Sequence, residues 1–203
     1  MGKISRFLAK LMADIPEGHK FYSGNYGAGE AEYVFVPGDT GALLDGDFKY
    51  DSKSDSGLIE HAEGLFDRGF KFGDWIFRSR DSQWQRRLQA YFQGGYINGE
   101  LFLSVRNKLD NYKADLALSV LDGEICGGLV GHFDNGYFQG WCDDNGYPDG
   151  KWTLAVKDGR KTLLTKRELW AHGHLKEAYE EKSDKQRTDM EPCLRERVNR
   201  VPY

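Results

Sequence analysis

Apolar positions follow two different periods along this chain. Over residues 3–13, Ile4, Phe7, Leu8, Leu11 and Met12 fall on one helical face, with Lys3, Arg6 and Lys10 on the other. The pattern predicts an N-terminal amphipathic helix within residues 1–18, which we expect to cap one end of a sheet; lying on an anionic membrane surface is the alternative. Beyond it the helical period is lost. Short runs such as Tyr33-Val-Phe-Val36, Leu116-Ala-Leu-Ser-Val-Leu121 and Glu124-Ile-Cys126 alternate with glycine-bearing breaks, which predicts strands joined by tight turns.

A fixed spacing runs through these breaks. Phe66-x-x-Gly69-x-x-x-Gly73-x-Trp75 recurs as Phe92-x-x-Gly95-x-x-x-Gly99-x-Leu101, as Phe133-x-x-Gly136-x-x-x-Gly140-x-Cys142 and as Asp143-x-x-Gly146-x-x-x-Gly150-x-Trp152. A worn copy, Trp170-x-x-Gly173-x-x-x-Glu177-x-Tyr179, follows. Phe70, Tyr96, Tyr137 and Tyr147 stand directly after the first glycine of four copies. Glycine supplies positive φ in a turn without a steric cost, and Asn-Gly or Asp-Gly pairs, such as Asp122-Gly123 and Asn145-Gly146, favour hairpins. Side chains alternate across a strand, so Gly73, Trp75 and Phe77 share a face, and Phe66, Trp75, Phe92, Phe133, Trp152 and Trp170 are expected to share the buried one. One hairpin cannot bury its own aromatic face, whereas consecutive copies can. An ordinary antiparallel β domain with many glycine turns is the alternative.

The pattern aromatic-x-x-Gly-x-x-x-Gly-x-Trp resembles the MORN repeat, and more closely its bacterial variant form. Gly150-Lys-Trp-Thr-Leu-Ala-Val-Lys-Asp-Gly-Arg-Lys-Thr-Leu-Leu164 fits that variant best, and the resemblance spans roughly residues 42–180. It implies a mainly β fold, an antiparallel array of β-hairpin repeats forming a twisted sheet. It also implies a non-catalytic protein-interaction module, of antitoxin or immunity type. Phospholipid-headgroup binding, an activity associated with classical MORN proteins, is the alternative that the resemblance brings.

Three segments are expected: the helix within 1–18, a repeat domain over 19–180, and a polar C-terminal tail over 181–203 that forms a short helix or no regular element. Within 161–180, Ala171, Leu175 and Ala178 have helical spacing, but Gly173 would weaken a helix interior and sits at the repeat's turn position, so strand–turn–strand is expected. The 106–115 stretch reads as an insertion between repeats. With 28 basic and 32 acidic residues the net charge is −4, so no global field points to nucleic acid, and none is expected as partner. Cys126, Cys142 and Cys193 are widely spaced and odd in number, which suits a reducing cytoplasm. Neither a secretory leader nor a membrane span is expected.

Candidate chemistry is sparse. His172 and His174 bracket Gly173 without a third ligand in view, so exposed turn histidines are expected instead of a metal site. Asp143, Asp144, Asn145 and Asp149 lack the closing glutamate of a calcium loop and suit turn chemistry. Cys142 occupies a core position of the repeat. No nucleophile elbow, phosphate loop or zinc spacing occurs, so neither cofactor nor catalysis is expected, an enzyme of unknown class remaining the last alternative. The strongest binding candidate is Arg78-Ser-Arg-Asp-Ser-Gln-Trp-Gln-Arg-Arg87, where Arg78, Arg80, Arg86 and Arg87 accompany Trp84. Arginine and tryptophan are enriched at interface hot spots, so these five residues are the candidate surface for another protein or for anionic lipid. A solvated turn is the plainer reading.

Overall fold

The computed structural model describes residues 15–39, 41–182 and 187–189. The expected N-terminal helix over 3–13 lies outside the described residues, as does most of the tail. The described residues form one antiparallel sheet of fourteen strands whose spatial order equals their order in sequence. These are β1 (Lys20–Tyr26), β2 (Gly29–Gly38), β3 (Gly41–Lys53), β4 (Ile59–Asp67), β5 (Phe70–Arg80), β6 (Trp84–Gln93) and β7 (Tyr96–Asn107). They continue as β8 (Lys113–Leu121), β9 (Glu124–Phe133), β10 (Gly136–Cys142), β11 (Pro148–Asp158), β12 (Lys161–Ala171), β13 (His174–Lys182) and β14 (Arg187–Asp189). Residues 161–182 are strand, turn and strand. Part of the tail also pairs into the sheet, β14 lying against β13.

Register separates the two faces of this sheet. One cross-strand row reads Ala31, Tyr50, Ala62, Phe77, Leu88, Leu103, Leu116, Gly131, Phe138, Leu154 from β2 to β11. The row one residue away reads Glu30, Asp51, His61, Arg78, Arg87, Ser104, Asp115, His132, Tyr137 from β2 to β10. An apolar face and a polar face therefore alternate through the same strands. The six aromatics of the repeat register share the apolar face, where Trp75, Phe92 and Trp170 are buried and Phe66, Phe133 and Trp152 are half-buried.

A single layer of strands cannot enclose that face, so the aromatic rings shield one another. Phe66 meets Phe48 at 5.3 Å and Trp75 at 5.1 Å between ring centroids, both edge-on, and Phe77 stacks on Trp75 at 5.6 Å. Such pairs add about 0.5–1.5 kcal/mol each beyond their buried area. The Lys71 ammonium sits 5.2 Å from the Trp75 ring and 5.0 Å from Phe77, and burial lowers its pKa. Ala31, Phe48, Trp75, Ala90 and Phe92 form the buried centre of this cluster.

The two glycines of each copy do different jobs. The first closes a two-residue turn: Arg68-Gly69, Gly94-Gly95 and His172-Gly173, like Asp122-Gly123, have positive φ at both positions, the type I′ geometry whose twist suits a hairpin. The second lies in the strand that follows, at a register shift. Gly73, Gly99 and Gly150, with φ of 70°, 109° and 69°, allow an extra pair of residues to bulge there. Of the first glycines, Gly69, Gly95 and Gly146 have positive φ. Gly136 does not; it is needed because a Cβ there would strike the Ala155 carbonyl and the Phe133 ring.

Successive turns are also tied together. The N–H groups of Gly69, Gly95, Gly123 and Gly173 donate to the carbonyls of Leu44, Lys71, Ile97 and Pro148 in the hairpin before, at 2.7, 3.1, 2.9 and 2.9 Å. Three of the four aromatics that follow a first glycine then cover the next turn: a Cβ at Gly95 would stand 3.1 Å from Phe70, one at Gly123 3.5 Å from Tyr96 and one at Gly173 3.1 Å from Tyr147.

Candidate functional site

Strand alternation and register bring the arginines of β5, β6 and β7 together on the polar face. Arg78 stands directly opposite Arg87, and Arg87 opposite Ser104. In the next polar row Arg80 faces Gln85, which faces Arg106. These residues line an open groove of about 540 Å³ that also includes Asp51, Ile59 and His61. All four arginines are exposed.

The β5–β6 turn joins the two strands that carry Arg78, Arg80 and Arg87. The Asp81 carboxylate accepts the backbone N–H groups of Gln83 at 2.8 Å and Trp84 at 2.6 Å, and these bonds hold its pKa below the usual carboxylate range. Lys108 ties the neighbouring loop to that turn, its N–H donating to the Gln83 carbonyl and its ammonium to the Asp81 carbonyl. The guanidinium spacing is thereby set by paired strands, not by a mobile tip.

Charge compensation within the cluster is incomplete. Arg78 lies 3.5 Å from the Glu63 carboxylate, while Arg87 reaches only the uncharged Gln89 amide at 3.3 Å. Arg80 and Arg106 make no ion pair or hydrogen bond with any described residue. A like-charge pair directly across two strands is unfavourable, so the Arg78–Arg87 juxtaposition is a local cost that the sheet tolerates. Carboxylates flank the cluster. On one side His61 Nδ1 bonds Asp51 at 2.7 Å; burial raises the pKa of Asp51, but its bonds with His61 and Lys49 outweigh that and lower it. On the other, Asp115 is held below the usual range chiefly by the Lys113 ammonium, then by the Ser104 hydroxyl.

The five sequence-predicted residues are divided between the faces. Arg78, Arg80, Arg86 and Arg87 all line the groove, whereas Trp84 does not. Trp84 and Arg86 belong by alternation to the apolar face, where the Arg86 guanidinium lies 5.8 Å from the half-buried Trp84 ring and 3.5 Å from Asp81. Arg106 was outside the predicted set because 106–115 reads as an insertion; in the structure Arg106 is inside β7 and the loop occupies 108–112. The alternation of Leu101, Leu103 and Val105 against Ser104 and Arg106 carries the missed signal, though only the register places Arg106 beside Arg80.

The other sequence candidates are parts of turns and core. His172 occupies a turn with φ of 46°, and its Nδ1 lies 3.2 Å from Asp143. Asp143 also accepts the N–H groups of Asn145 and Tyr147, both at 3.0 Å, and Asp149 accepts that of His172 at 3.2 Å, so these acids stitch two turns together. Among the described residues no group of three or more His, Cys, Asp or Glu is placed to hold a metal ion. Cys142 is buried and its thiol pKa is pushed up by that burial, while Cys126 is half-buried; both thiols are free.

No family model matches the chain, and no curated protein does.

Proposed function

We propose that this chain is a non-catalytic protein-interaction module, a MORN-like hairpin array that engages an acidic surface of another protein through the arginine groove. The observation that carries this reading is the convergence of Arg80, Arg87 and Arg106 on one face, none in an ion pair with a described carboxylate, Arg106 acting on Asp115 only through its charge. Guanidiniums without an ion-pair partner, carried on paired strands, are available for bidentate bonds to carboxylates. The antitoxin or immunity role that goes with bacterial MORN-variant proteins is the form of partnership we favour. A reducing cytoplasm is the setting of the same proposal, in keeping with the free thiols of Cys126 and Cys142.

The phospholipid-headgroup reading is weaker on geometric grounds. Asp51 and Glu63 border the groove on one side and Asp115 on the other, so a planar anionic membrane laid across it meets both signs of charge. A compact acidic patch a few strands wide does not. The test is the double reversal Arg80→Glu with Arg106→Glu in the full chain, purified with its partners from the native host. Loss of a wild-type partner with unchanged melting temperature supports the reading; an unchanged set of partners overturns it. Pelleting with phosphatidylserine vesicles at low salt, abolished by the same reversal, would instead establish the lipid reading.

A further inference from the structure

The polar face carries its own complement. In the row Glu30, Asp51, His61, Arg78, Arg87, two carboxylates stand on consecutive strands on one side of His61 and two guanidiniums on the other. Each pair is a like-charge pair directly across a strand boundary, which costs stability in an isolated sheet. Turning a second copy over about an axis along β4 reverses the strand order and keeps the row. Asp51 then meets Arg78 of the second copy, Glu30 meets Arg87, and both like-charge pairs are neutralised at once.

A further feature fits an axis along β4. The polar-face side chains of β4 itself are Ile59, His61, Glu63 and Leu65, so apolar residues at both ends of the strand would meet their own copies. Two like charges meet across this axis: Glu63 faces Glu63 of the second copy, each lying 3.5 Å from Arg78 of its own chain, and Lys53 faces Arg80 of the second copy at the rim where salt screens it.

We propose that the polar face of β1–β7 is a two-fold interface with a second copy of this chain, centred on β4 and joined by Glu30–Arg87 and Asp51–Arg78 pairs. Twisted sheets of the same hand pack face to face with their strands nearly aligned, as this axis requires. Seven strands about 4.8 Å apart and six residues along each cover roughly 29 Å by 20 Å, or about 1,160 Å² over both copies. That is at the small end of specific interfaces, so the dimer is weak and sensitive to salt. This inference rests on the interaction reading above and names the partner of the same face.

Sedimentation velocity of the full chain over a concentration series, at low and at high salt, tests it. A monomer–dimer equilibrium that weakens with salt is expected, and Arg87→Glu or Glu30→Arg should each weaken the dimer at least about tenfold. Combining the two reversals exchanges the signs of the pair, and dimerisation should return. A monomer at every concentration and salt overturns the inference, as does a dimer indifferent to both single reversals. If the chain is monomeric while Arg80→Glu with Arg106→Glu still strips a partner from it, the inference falls and the wider interaction reading stands.

Discussion

The indole of Trp75 packs against the backbone of Gly64 on the neighbouring strand and donates its N–H to the carbonyl of the next residue, Leu65, at 2.9 Å. Trp152 repeats this relationship with Gly140 and the Trp141 carbonyl, at 3.1 Å. In both places one residue of the glycine's strand faces a three-residue bulge, and the tryptophan lies over that glycine. The missing Cβ is what lets a large ring lie flat on a single-layer sheet.

Replacing Gly64 by Ala should therefore destabilise far more than replacing Gly128, another strand glycine whose added Cβ would meet only ordinary contacts with Trp141. Trp75→Ala should cost about 3–5 kcal/mol through the cavity that it leaves. Adding Gly64→Ala to Trp75→Ala should cost little more, because the obstructing ring is gone. Chemical denaturation of the four proteins checks this, and equal losses for Gly64→Ala and Gly128→Ala would refute it.

Arg68 holds φ of 47° at the first position of its turn, and its side chain is largely exposed. Asparagine tolerates that conformation better. Arg68→Asn should raise stability on the order of 0.5 kcal/mol, with the N–H bond from this position to Asp45 unaffected because it comes from the backbone. A lower melting temperature in the variant would count against the turn assignment.

His19 and Asp45 should give stability a pH dependence. His19 Nε2 lies 2.9 Å from the Asp45 carboxylate; that bond, followed by one from the ring to the Glu17 carbonyl, raises the His19 pKa above its ordinary 6.5. The same bond, with the Arg68 N–H, lowers Asp45 below 3.8. The His19 contribution is complete below pH 6.5 and is lost as pH rises through its raised folded value; that of Asp45 is present above pH 3.8 and is lost as pH falls through its lowered one. Stability should thus gain from the pair between these limits, and His19→Gln should flatten that part of the profile. An NMR titration placing the His19 midpoint at or below 6.5 would contradict it.

Arg87→Glu converts the Arg78–Arg87 juxtaposition into an opposite-charge pair. Measured at concentrations where the chain is monomeric, it should stabilise by about 0.2–1 kcal/mol while weakening every interaction of the groove. A destabilised monomer would show that this juxtaposition is not the local cost inferred here.

The sheet was legible in the sequence because aromatic and glycine positions recur at one spacing, and the alternation of Gly73, Trp75 and Phe77 assigns a common face to the large rings. The work of the second glycine was not legible. Gly73 reads as an ordinary strand position and Asn98-Gly99 as a hairpin turn, yet a bulge inside a strand is defined by the neighbouring strand, which spacing along one segment does not encode. The site suffered for a related reason. Arg86 and Arg87 are adjacent in sequence and were grouped as one patch, whereas strand alternation sends them to opposite faces; Arg106 joins Arg80 only through the two-strand register with Gln85.

Because spatial order in the sheet repeats order in sequence, every strand is bonded only to the strands before and after it. Among the described residues no strand near one margin of the sheet is paired with a distant one, so this sheet has no keystone whose loss brings down the whole. Opening can begin at either margin and travel inward hairpin by hairpin, and a lesion such as Gly140→Ala should melt its own neighbourhood first while β1–β6 remain paired. Such a chain behaves less like a vessel with a lid than like a zip fastener: it can be shortened from its ends, and its resistance to unfolding is a gradient along its length instead of one threshold.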